Sequence, residues 1–143
     1  MKVPDYKDPS QQPANPLGAY AAQAKESLSQ REKEAHALVK AANSMQKLVE
    51  NMDGAGAADV SAEDIEVTLD YNRQLWALFY EKAEEQLEKA PDALSQNIIS
   101  LGNFVFMRSR QISKETNRDA QKRLFSILVD INRQIATGLF SAR

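Results

Sequence analysis

The 143-residue sequence predicts an all-α protein, a helical bundle of about four helices in which a long N-terminal helix packs on a compact three-helix C-terminal part. Three observations predict it. Apolar residues recur at steps of three, four and seven over most of the chain, the period of a helix buried on one face. Four of the five prolines are Pro4, Pro9, Pro13 and Pro16, and the next is Pro91, so a long interior stretch is free of helix breakers. Cap signals then divide that stretch into segments of helical length.

Residues 1 to 14 are rich in proline, poor in apolar side chains and without periodicity, and they read as a disordered tail. The single helical domain is expected over 15 to 143. Asn15 and Pro16 supply an N-cap and a first helical position. The first helix, from Pro16 to Glu50, carries a stripe at Tyr20, Ala24, Leu28, Ala35, Leu38, Ala42, Met45 and Val49. Alanine buries little area per turn, so this helix is expected to hold the core more weakly than the later ones. Residues 51 to 60, "NMDGAGAADV", read as a flexible connector.

Ser61 opens the second helix with "SAED", a capping-box pattern in which Asp64 takes the usual glutamate's place. Its core face is expected at Ile65, Leu69, Asn72, Trp76, Phe79 and Ala83, widened by Leu75 and Leu78. Pro91 is expected at the first turn of the third helix, with Asp92 near the positive end of the helix dipole. "NIISLGNFVF" (97 to 106) places apolar residues on both parities, which excludes an alternating strand, while Leu94, Ile98, Leu101, Val105 and Ile112 keep the helical period. Gly102 beside that face costs about 1 kcal/mol of helix propensity relative to Ala, and it predicts close approach of another helix. The last helix begins near Asn117, with Leu124, Ile127, Leu128, Ile131 and Ile135 on one side and Gly138 where a C-cap glycine belongs.

Composition excludes several function classes. The charged fraction is 27% and mean hydropathy is -0.52, with no run near the roughly 20 apolar residues of a spanning helix. The acidic, proline-bearing start is unlike a secretory signal, so the cytoplasm is the expected location. There is no cysteine and one histidine, His36, in the polar stretch "REKEAHALVK". That leaves no thiol chemistry, no His/Cys metal site and no nucleophile paired with a base. Glycine is too sparse for a phosphate loop or dinucleotide fingerprint. An enzyme is not expected, and neither is a cofactor or metal.

Charge is unevenly distributed. Residues 61 to 90 hold eight acids against three bases (3 - 8 = -5), and residues 107 to 143 hold eight bases against three acids (8 - 3 = +5). Two readings stand: attraction between adjacent helices, or contact of the basic quarter with an acidic partner or RNA. A net charge of -2 and the lack of aromatics interleaved with arginine disfavour direct nucleic acid binding. Asn72, Asn97, Asn103 and Asn132 lie on or beside apolar stripes, where a buried amide needs a partner. They would serve as interhelical hydrogen bonds or as readers of a bound segment. Trp76, one turn past Asn72, is either a core anchor or a binding hot spot.

The stretches "AYAAQAKESLSQREKEAHALVKAA" (19 to 42), "NRQLW" (72 to 76), "LSQNIISLGNFV" (94 to 105) and "LVDINRQIATGL" (128 to 139) together resemble the FlaF family of alphaproteobacterial flagellar biosynthesis proteins. The motif residues carrying the resemblance include Asn97, Leu101, Gly102, Val105, Ile131, Asn132 and Gly138. It implies a cytoplasmic, non-enzymatic protein that binds flagellin as a secretion chaperone and supports flagellin production and filament assembly. The alternative it implies is a post-transcriptional regulator acting with an FlbT-type partner or on flagellin mRNA. Flagellin's terminal segments are amphipathic helices, and helix-in-groove binding between the first helix and the bundle is the expected mode. Tyr20, Leu28, Leu38, Met45, Asn72 and Trp76 are the expected partner-binding residues.

Overall fold

A computed structural model describes residues 16–53 and 60–141. Its elements are α1 (Pro16–Asp53), α2 (Ala62–Lys89), α3 (Ala93–Lys114) and α4 (Arg118–Ser141). The expected tail at 1 to 14 lies outside the described residues, as do 54 to 59 of the expected connector. Residues 51 to 53 belong to α1, which runs three residues beyond its expected end at Glu50.

Local chemistry sets the helix starts. The Ser61 hydroxyl accepts from the Asp64 backbone N–H at 3.0 Å, and the Asp64 carboxylate accepts from the Ser61 N–H at 3.0 Å, which completes the capping box of α2. At α3 the expected start is corrected: Asp92 is the N-cap and Pro91 lies outside the helix. Its carboxylate accepts from the Ser95 N–H at 3.1 Å and from the Ser95 hydroxyl at 2.5 Å, satisfying a free N-terminal donor that a first-turn position would have left to water. Asn117 serves α4 in the same way, its side-chain oxygen accepting from the Ala120 N–H at 3.0 Å.

The four helices stand antiparallel around one core in the spatial order α1, α4, α3, α2. The pairs α1/α4 and α2/α3 pack closely, whereas the seams α1/α2 and α3/α4 are looser and lie on opposite sides of the bundle. The side chains of Leu38, Met45, Leu69, Trp76, Val105, Ile112, Phe125 and Leu128 are 0% exposed. The expectation of a weakly held first helix is overturned for its C-terminal half. Ala35, Leu38, Ala41, Ala42, Met45, Leu48, Val49 and Met52 are all buried, and each of the larger ones contributes roughly 1.5–3 kcal/mol of burial. The small alanines between them let α4 approach closely, so what the stripe lacks in area per residue it recovers in intimacy of contact.

Ionic links clamp the ends. Lys122 pairs with Asp53 of α1 and, at 3.3 Å, with Asp119; these carboxylates, Asp53 foremost, raise its pKa above the ordinary lysine value. Arg118 donates to the Val60 carbonyl at 2.6 Å, and Lys82 of α2 meets Glu34 of α1 at 2.5 Å. α2 and α4 occupy diagonal corners, but the basic quarter also includes the end of α3, which packs against α2 and puts Lys114 and Arg118 in one cleft with Glu66.

Gly102 is buried under α2. A Cβ there would stand 2.8 Å from Cδ2 of Tyr80 and 3.8 Å from Cε3 of Trp76. The α2/α3 crossing therefore passes over the one residue that leaves room for the Tyr80 ring. Gly138 differs from its expected role: α4 continues through it to Ser141, and nothing lies within 4 Å of the Cβ it lacks. Position near the chain end resembled a cap, but the helix does not stop there.

Candidate partner-binding site

Three helices converge on a buried amide cluster. Asn132 donates its side-chain N–H groups to the Asn72 side-chain oxygen at 2.8 Å and to the Leu38 backbone carbonyl at 3.2 Å, while its own oxygen accepts from the Trp76 indole N–H at 2.9 Å. Asn72, Trp76, Asn132 and Leu38 are all 0% exposed. The cluster ties α1, α2 and α4 together at one height and sets their register. Asn72 Nδ2 is left without a hydrogen-bond partner among the described residues.

Most of the expected partner-binding set is thereby relocated. Leu38, Met45, Asn72 and Trp76 form the interior of the closed bundle and present no surface to a partner. The reason is that α1 is integral to the core, which an alanine-rich stripe did not suggest. The side chains of Tyr20 and Leu28 lie outside the described residues. Of the other amides on the stripes, Asn97 and Asn103 are exposed and need no protein partner.

The motif residues divide into two groups. Gly102, Val105 and Asn132 are buried in the core, whereas Leu101 and Ile131 are half-buried and Asn97 and Gly138 are exposed. The second group lies along one feature, the open seam between α3 and α4. On the α4 lip, Leu124, Ile127, Ile131 and Ile135 follow at steps of three and four, so they share a side of the helix. Ile127 is 37% exposed, and Leu124, Ile131 and Ile135 pack against the core while remaining partly open. Gly138 continues that row without a side chain, which leaves the far end of the lip unobstructed.

The α3 lip carries Leu101, Phe104, Arg108 and Gln111, also at helical spacing. Arg108 lies over the Phe104 ring, its guanidinium carbon 4.4 Å from the ring centroid, and Nη1 donates to the Gln111 side-chain oxygen at 2.7 Å. Its buried Nε has no hydrogen-bond partner among the described residues. The guanidinium is thus fixed in place with a donor unspent. At this end the seam widens into a groove of 590 Å³ lined by Gln111, Lys114, Glu115, Arg123, Leu124 and Ile127. Its floor is apolar and its rim carries two bases against one acid, an arrangement suited to an amphipathic helix with an acidic edge.

Phe104, Arg108 and Ile127 were not expected as site residues. One signal was present: at about 100° per residue Ile127 falls at the margin of the α4 stripe formed by Leu124, Leu128, Ile131 and Ile135. Leu78 is a parallel correction, since it was expected to widen the core face of α2 and is 60% exposed. Among the described residues no group of three or more His, Asp and Glu side chains converges to hold a metal ion, and no helix is long and apolar enough to cross a membrane.

A family model described as flagellar protein FlaF matches residues 17–139. No curated protein and no solved structure matches the chain.

Proposed function

The chain belongs to the flagellar protein FlaF family, and we propose that it binds flagellin as a non-enzymatic secretion chaperone in the cytoplasm, holding an amphipathic terminal helix of flagellin before export. The observation that carries this reading is the α3/α4 seam, where a row of large aliphatic side chains on α4 stays partly open beside a fixed arginine on α3. A helix laid along that seam would cover Ile127 and Ile131 with its apolar face, and a carboxylate on its edge would reach Arg108, Lys114 or Arg123. Of the two forms of the groove first expected, beside the first helix or in its place, displacement would require α1 to leave a core of which it is a major part. The α3/α4 seam needs no such rearrangement.

The test uses the full chain, because removing α1 would dismantle the core. Titration calorimetry with a C-terminal flagellin peptide should give a stoichiometric complex, and Ile127→Asp should weaken it by at least about tenfold, the scale of a lost apolar anchor. Unchanged affinity, with the variant shown to be folded by circular dichroism, sinks the assignment of the seam. No complex with any flagellin segment sinks the chaperone reading itself.

The basic surplus of residues 107 to 143 favours a second reading, a regulator of flagellin synthesis that acts on flagellin mRNA or through an FlbT-type partner. Direct RNA binding would lose affinity steeply with salt, in proportion to the phosphates contacted.

A further inference from the structure

On the side of the bundle away from the α3/α4 seam, α2 presents a second apolar row. Val67, Tyr71 and Leu78 are 64%, 41% and 60% exposed, and their spacings of four and seven put them on one side of the helix. They are three of only a handful of large hydrophobics so exposed among the described residues, all within three turns. The row is continuous with a cavity of 710 Å³ between α1 and α2, on whose wall Val67 sits beside Leu48 and Val60. Grouped exposure of this kind marks an interaction surface, unlike scattered single residues.

Its electrostatics select the occupant. The cavity rim holds Glu50, Glu63 and Asp64 against Lys47 (1 - 3 = -2). Farther along the row stand Glu81 and Glu85, both exposed, with Lys82 taken up by Glu34 at 2.5 Å and Lys89 one turn past Glu85. A second copy of this chain laid face to face on the row would set this acidic margin against its own image, a like-charge arrangement that costs affinity.

We infer that the α1/α2 side is a second docking surface, for a basic amphipathic helix of another protein whose apolar residues cover Val67, Tyr71 and Leu78 and whose lysines or arginines meet the acidic rim. It differs in sign from the α3/α4 seam, whose rim is basic. The chain is therefore two-faced, able to hold two different helices on opposite sides at once. This inference stands whether or not the seam proves to take flagellin.

The test uses two fluorescein-labelled model helices of about 18 residues, roughly 27 Å long, with one leucine pattern flanked by lysines in one peptide and by glutamates in the other. Anisotropy titration of the full chain should show that the lysine peptide binds, that added salt weakens it, and that Ile127→Asp leaves it unchanged. Tyr71→Glu should reduce its affinity by at least about tenfold, as should Leu78→Ser to a lesser degree, in proteins whose circular dichroism and melting temperature match wild type. Purely electrostatic attachment would instead strengthen with the extra negative charge of Tyr71→Glu, and that result overturns the inference. So does equal binding of both peptides, or a wild-type dimer in sedimentation that Tyr71→Glu dissolves.

Discussion

The indole nitrogen of Trp76 donates a 2.9 Å hydrogen bond to the side-chain oxygen of Asn132, across 56 residues of sequence and in the centre of the bundle. Asn132 also serves Asn72 and the Leu38 carbonyl, so it is the hub of the cluster, whereas the buried Asn72 Nδ2 donates to no partner among the described residues. Unequal consequences follow for the two asparagines.

Asn132→Leu strands both the Trp76 N–H and the Asn72 amide in the core, and each orphaned group costs about 1–3 kcal/mol. Asn72→Leu forfeits one bond but also removes a donor that has no partner, so its cost should be about 1 kcal/mol or less. Chemical denaturation of the two variants measures the difference. Equal losses would mean that Asn132 is not the hub.

Gly102→Ala should destabilise despite the better helix propensity of alanine, because its Cβ would press on the Tyr80 ring at 2.8 Å, and overpacking of this kind costs about 1–3 kcal/mol. In a Tyr80→Ala background the ring is gone, and the same change should become stabilising by up to about 1 kcal/mol. The reversal of sign, read from a four-member thermal unfolding cycle, is the expected outcome.

Gly138→Ala tests the end of α4. With open space around the position and helix on both sides, alanine should stabilise by about 0.5–1 kcal/mol. A C-cap glycine in the left-handed conformation would give the opposite sign.

Lys122 links stability to alkaline pH. Its pKa is raised in the fold by Asp53 and then Asp119, so the folded state holds its proton more tightly than the unfolded chain. The stabilisation is complete below the unfolded lysine value of about 10.4 and is lost as pH rises through the higher folded value. The difference in unfolding midpoint between wild type and Lys122→Met should therefore be constant from about pH 7 to 9 and shrink above about pH 10.5.

How much was legible follows from which signals are local. Ser61 and Asp64 are three residues apart and read directly as a cap, and the period of Leu69, Trp76 and Phe79 identified the buried face of α2. The role of α1 was obscure because an alanine's contribution depends on how near its neighbour comes, which is a property of the α1/α4 pair. The apolar stripe at Tyr20 and Leu38 thus pointed to a groove, while the open seams came to light only with the packing order of the helices. Ile127 and Val67 are ordinary aliphatic residues in one dimension, and they become candidates for recognition only through what fails to cover them.

One turn at the start of α4 clasps the chain on both sides of residues 54 to 59, Lys122 through Asp53 and Arg118 through the Val60 carbonyl. Asp53 and Val60 are thereby held at one corner of the bundle independently of the residues between them. Lengthening a connection costs only about 0.6 kcal/mol per doubling. An insertion between Asp53 and Val60 should therefore leave the bundle folded, with a melting temperature close to wild type.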